Sequence, residues 1–250
     1  MKRVLVLAAI LALAAPAHAF DWGGMLKGVV SKPGGQDPAG ATGVDALSTT
    51  DINAALKEAL TRGADAAVAQ LGVKDGFFGN AQLKIPLPKN LQKAEKAMRM
   101  FGMGQQADDL VLAMNRAAEA AVPEAQTLFV DAVKQMTLED AKGILTGGQT
   151  SATDFFRRKT ETQLTERFLP IVKTTTDKVG LAQQYNRYAG MATQFNLIDK
   201  SQSNVEQYVT QEAMDRLYTL IGEKEAAIRA NPVQAGSALL KKVFGAVTGK

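Results

Sequence analysis

Residues 137–160, TLEDAKGILTGGQTSATDFFRRKT, constrain the fold more than any other stretch, because two helix starts flank a double glycine. Thr137 with Asp140 three residues on is a pattern in which side chain and backbone cap each other. Leu138, Ala141, Ile144 and Leu145 then share one side of a short helix. Gly147-Gly148 ends it, since glycine takes the left-handed turn that closes a helix. Ser151 with Asp154 opens a second, longer helix carrying Phe155, Phe156, Arg157, Arg158 and Lys159. The other helices must pack around this corner.

They are legible by the same rules. Ser48 with Asp51 starts a helix to about Leu71, with Ile52, Leu56, Ala59, Leu60, Gly63 and Ala67 on one face. GVKDGFFGNAQLKIPLPKN interrupts it, and Pro86 and Pro88 require an extended path there. Phe77, Phe78, Leu83, Ile85 and Leu87 are too apolar for water, so this segment should lie pinned across helices. Residues 91–101 read as helix ended by Gly102. Met98, Met100 and Met103 suggest a soft metal site, but Met98 and Met100 point about 200° apart on a helix, and Met98 falls with the core residues. Residues 105–121 place Asn115 and Glu119 together beside an apolar stripe. Pro123 restarts a helix to Met136.

Beyond the corner the helix should run to Pro170, with a further turn or two at 171–179 ending at Gly180. A helix at 181–195, a loop, a piece capped by Asn204 or Ser203, and a long helix from Thr210 to Ala230 follow, the last stopped by Asn231-Pro232. A final helix lies near 237–247. No useful strand alternation appears. The expected fold is all-α: one multi-helix domain of roughly eight to ten helices with one loop-like extended, proline-containing segment.

Three parts are expected: a signal peptide at 1–19, a flexible Gly/Pro/Ala-rich linker at 20–46, and the helical domain at 47–248. Lys2-Arg3, an apolar run over 4–15 and Ala17-His18-Ala19 form the export signal. That run is too short to span a bilayer, and no later stretch approaches a span. A soluble periplasmic protein is the expectation. Removing 1–19 also removes His18, the single histidine, and the chain has no cysteine. Cys–His and Ser–His nucleophiles, thiol redox chemistry and disulfides are then excluded, and neither a metal nor a cofactor is expected. The mature chain has 27 basic residues (29 less Lys2 and Arg3) against 25 acidic ones, net +2. That balance gives no nucleic-acid footprint.

Two kinds of site merit attention. Gly147, Gly148 and Thr150 precede a helix N-terminus, which favours anions, with Arg157, Arg158 and Lys159 close by. The same glycines also serve a plain helix–helix corner. At 100° per residue, Phe156, Thr160, Leu164, Phe168 and Ile171 form the buried stripe, with Arg157 at its edge and Arg158 turned to solvent. Arg157 therefore needs an internal acid, from Glu161 or from the helices at 105–136. Arg158 can pair with Asp154. Asn115, Glu119, Asp154, Thr160 and Glu161 are candidates for a polar core. Catalysis without His or Cys would need paired carboxylates or Ser–Lys chemistry. Neither has a distinguishing pattern here, although Glu119, Glu124, Asp131, Glu139 and Asp140 lie near the corner.

The stretches GFFGNAQLKIPLP, MNRAAEAAVPEA, TLEDAKGILTGGQTSATDFFRRKT and VGLAQQYN, with the C-terminal LLKKVFG, resemble the exported bacterial helical proteins grouped as domain of unknown function 4197. The resemblance implies export and an all-helical domain, and no activity or catalytic residues. The expected function is non-enzymatic: binding a protein partner, or an amphipathic or anionic ligand, between helices. The alternative is a carboxylate-dependent cell-wall glycan hydrolase.

Overall fold

Apolar side chains recurring at every third or fourth position build helix alone among the described residues. The computed structural model describes residues 49–100, 102, 104–178, 180, 183, 185, 186, 189 and 204–231. In chain order the helices are α1 (Thr49–Leu71), α2 (Lys89–Met100), α3 (Gly104–Ala121), α4 (Ala125–Lys134), α5 (Leu138–Thr146), α6 (Ser151–Asp177) and α7 (Val205–Ala230). A 3₁₀ turn at Val122–Glu124, with Pro123 in its first turn, joins α3 to α4.

These seven α-helices are fewer than the eight to ten expected. The helix expected at 181–195 falls largely outside the described residues. The one at 237–247 lies wholly outside them, as do the signal segment 1–19 and the linker 20–46. The remaining difference is at Pro170, where the spacing predicts a break and α6 instead runs through. An interior proline costs a helix about 3 kcal/mol or more. Pro170 faces solvent, while Leu164, Phe168 and Val172 on either side of it are fully buried. Burying each such side chain contributes roughly 1.5–3 kcal/mol, enough to hold both halves on one core.

α7 organises the packing: it lies along α6 and also meets α1 and α3. Val205, Val209, Ala213, Met214, Leu217 and Ile221 go under its neighbours. Phe156 of α6 stands edge-on to Phe129 of α4 at 5.0 Å and to Phe155 at 5.6 Å. Such pairs add about 0.5–1.5 kcal/mol beyond the area they bury.

The corner differs from expectation in two details. Gly147 closes α5 with extended backbone (φ −78°, ψ 178°), not in the left-handed region. Glycine is needed there for room. A Cβ would collide with the Gly143 carbonyl oxygen and lie 2.7 Å from the Ser151 Cβ. Leu138 is 56% exposed instead of sharing the buried side of α5. It heads the helix beside Thr50, Asn53, Ala54 and Lys57 of α1, which offer little apolar surface to cover it.

Candidate functional site

Thr137 caps α5 as its spacing predicts. Its hydroxyl oxygen accepts the Asp140 N–H at 3.1 Å, and the Asp140 carboxylate accepts the Thr137 N–H at 3.2 Å. Lys159 reaches the same carboxylate at 3.5 Å. Burial works against that charge, but Thr137 and Lys159 outweigh it and hold the Asp140 carboxyl below its ordinary range.

Ser151 does not cap its own helix. Its hydroxyl lies 2.8 Å from the Ile144 carbonyl and 2.9 Å from that of Gly148, covering carbonyls that α5 leaves open. The first N–H groups of α6 are met from α7 instead. Glu225 accepts the Ala152 N–H at 3.0 Å, the Thr153 N–H at 2.9 Å and the Thr153 hydroxyl at 2.8 Å. One turn on, Arg229 donates Nε and Nη2 to Glu225 at 3.0 and 2.8 Å. Its Nη2 also reaches the Ile144 carbonyl at 3.0 Å and the Ser151 hydroxyl at 2.7 Å. The negative charge that a helix N-terminus favours is thus supplied by the chain itself. Those two N–H groups are taken, so an anion held by them at the double glycine would have to displace a buried carboxylate. Gly147, Gly148 and Thr150 stand exposed around this lock, with the Thr150 hydroxyl on Asp154 at 3.2 Å. Among the described residues no ion pair joins Asp154 to Arg158, which is exposed. Glu225 and Arg229 are absent from the sequence-based candidates. The legible signal was an acid and an arginine four apart, Glu225 and Arg229, on either side of Ile228.

Arg157 is paired, though not from the helices at 105–136. Its Nη1 is 3.0 Å from Asp215 of α7 and 3.4 Å from Glu161, and the guanidinium lies 4.5 Å above the Tyr218 ring. The partner comes from α7 because that helix runs beside α6. At 37% side-chain exposure this is a partly solvated pair, weaker than the buried one expected. Beneath it the Thr160 hydroxyl donates to the Phe156 carbonyl at 2.7 Å and lies 2.9 Å from the Tyr218 hydroxyl. Burial pushes the Tyr218 phenol up to about 12, with Thr160 acting the other way, so it stays a neutral donor at pH 7. Arg157→Ala should cost about 1–2 kcal/mol, combining an ion pair with a cation–π contact. Arg158→Ala should stay within about half a kcal/mol. Urea unfolding of both variants separates them, and equal midpoints would contradict this assignment.

Asn115 and Glu119 do form a polar strip, and it pins the extended segment. Asn115 treats Ile85 as a strand partner would: Oδ1 accepts its N–H at 2.8 Å and Nδ2 donates to its carbonyl at 2.9 Å. Glu119 accepts the Phe77 and Phe78 N–H groups at 3.2 and 3.1 Å and pairs with Arg116 at 2.5 Å. Arg116 also holds Asp75 at 2.6 Å, where the backbone turns left-handed (φ 68°). The Tyr208 hydroxyl donates to the Pro86 carbonyl at 2.8 Å.

Beside the Glu225–Arg229 lock opens a narrow cleft of about 40 Å³ between α1, α5, α6 and α7. Leu56, Leu60, Ile144, Phe156, Ile221 and Ile228 supply its walls, and Ala59, Gly63 and Ala64 leave its room. Among the described residues Glu225 and Arg229 are the only charged ones lining it. Among the described residues no group of three or more Asp, Glu, His or Cys is placed to hold a metal.

The fold and this site define a class: an all-helical domain with an apolar cleft ending on a buried ion pair. The chain belongs to the family described as Protein of unknown function (DUF4197), which matches residues 46–245. Comparison with curated proteins and with solved structures finds no match.

Proposed function

We propose that this is an exported, non-enzymatic binding domain that takes one apolar chain of an amphipathic ligand into the cleft between α1, α5, α6 and α7. The observation that carries this reading is the cleft's lining, apolar along its length with a single charged pair at one end. At about 40 Å³ it is narrower than the roughly 300–1,000 Å³ of most ligand pockets, so entry of a chain requires the walls to part. The ligand's polar head would lie toward Glu225 and Arg229. The signal-like segment at 1–19 supports export. The hydrolase alternative finds no comparable support. Glycoside hydrolysis needs two carboxyls facing a cleft, roughly 5–10 Å apart, and Glu225 is the one carboxylate lining this cleft.

Gly63 supplies the test. A Cβ there would sit in ordinary contact, 3.6 Å from Ile228 Cδ1, so alanine is accommodated and a larger side chain competes for the cleft's space. Native mass spectrometry of residues 20–250, isolated from cells without denaturation, should show a retained small-molecule adduct. Gly63→Phe should lose it, while Gly63→Ala keeps it. A bare mass for the unsubstituted chain, or the same adduct on Gly63→Phe, would overturn the reading.

A further inference from the structure

α2 presents a face that no described element covers. At 100° per residue, positions 89, 93, 96 and 100 fall within about 60° of one another. They are Lys89, Lys93, Lys96 and Met100. Lys89 and Lys96 are exposed, and Met100 is 86% exposed, the most of any large apolar residue described. No acid shares the stripe. Glu95 lies elsewhere on the helix and is tied to Arg99 at 2.7 Å, which Asp108 also holds at 2.5 Å. Among the described residues neither Lys89 nor Lys96 forms an ion pair. α2 packs chiefly on α3, and Lys89, Lys96 and Met100 are exposed.

Next to it lies a groove of about 530 Å³ between α2, α3 and the extended segment. Phe78, Pro86 and Leu87 give it apolar surface, Lys84 and Lys96 also line it, and its two acids, Glu95 and Asp108, are both held by Arg99. The Lys84 ammonium sits 4.1 Å above the Phe78 ring. The acids beside the stripe are neutralised by Arg99, which leaves Lys89, Lys96 and the exposed Met100 as its outward groups.

We propose that the face made by Lys89, Lys96, Met100 and this groove docks the protein on an anionic lipid surface, the lysines on headgroup phosphates and Met100 in the acyl boundary. Cations beside exposed apolar groups match the layering of a bilayer interface. An acidic protein or a nucleic acid would satisfy the lysines and leave Met100 and the groove unused. No described helix is long and apolar enough to cross a membrane, so the contact is one of surface only. This site is separate from the cleft and stands whether or not the cleft binds a ligand.

The test is flotation of residues 20–250 with vesicles of phosphatidylcholine, with and without about one third phosphatidylglycerol. Each lysine near such a surface raises partition roughly fivefold. Binding should appear on the anionic vesicles alone at about 50 mM salt and largely vanish at about 500 mM. Lys89→Glu/Lys96→Glu should weaken it by tenfold or more, and Met100→Ser by severalfold. Both should leave the melting temperature unchanged, because these side chains are exposed. Four results would overturn the proposal: no binding, equal binding to neutral vesicles, binding indifferent to these substitutions, or a dimer in solution that these substitutions dissociate. The last would assign the face to a second copy of the chain.

Discussion

Glu225→Ala is expected to lower stability by about 3–5 kcal/mol. The carboxylate is 6% exposed and its partner Arg229 15%, so both charges have left water and depend on each other. Removing the acid takes this carboxylate from the Arg229 guanidinium and leaves the Ala152 and Thr153 N–H groups without acceptors at the head of α6. Each effect is destabilising for its own reason: a largely buried charge that loses an ion-pair partner, and buried donors that lose water and gain nothing. For a domain of this size the loss corresponds to a fall of roughly 10 °C in melting temperature. Glu225→Gln keeps the volume but turns an NH₂ toward donors, so it should fall between the native chain and Glu225→Ala. The double variant Glu225→Ala/Arg229→Ala should lose less than the two single losses combined, because the charge that lost its ion-pair partner is gone. A loss below about 1 kcal/mol for Glu225→Ala would show that the corner does not depend on this lock.

Asn115→Leu should cost about 2–4 kcal/mol by a different route. Leucine keeps the branching of asparagine and is larger, so no cavity forms. What is lost is the pairing of the Ile85 N–H and carbonyl, both buried against α3. No second side chain reaches those groups in the described structure. The extended segment should then loosen locally, so hydrogen exchange at Ile85 should quicken far more than at α6 amides such as Leu164. Urea unfolding measures the first effect and exchange the second. Uniform acceleration across the domain would mean that Asn115 supports global packing and not this one segment.

Much of this architecture is local and therefore readable. The Thr137–Asp140 box, the Asn204 cap, whose side chain accepts the Gln207 N–H at 2.9 Å, and the bounds of α1 and α3 follow from neighbouring residues alone. The apolar 77–87 segment had to be covered, and Asn115 and Glu119 were the polar groups beside the apolar stripe of α3. What stayed hidden depends on pairs far apart in the chain. Ser151 looks like a cap for α6, but Glu225 occupies those N–H groups from 73 positions away. Arg157 needed an acid, and spacing cannot tell that Asp215 lies closer than any acid on α3 or α4. The cleft is less visible still, because Ala59 and Gly63 lie on a helix face whose small residues suit close packing. They leave a gap where Leu56, Leu60 and Ile228 keep the walls apart.

The central claim is that this gap is a binding site, and the most direct measurement is a titration of residues 20–250 with a fluorescent long-chain fatty acid. The unsubstituted chain should saturate with one molecule bound. Gly63→Ala should behave alike, and Gly63→Phe should bind at least tenfold more weakly at unchanged melting temperature. Equal affinity in Gly63→Phe, or no saturable binding to the unsubstituted chain, would contradict the account.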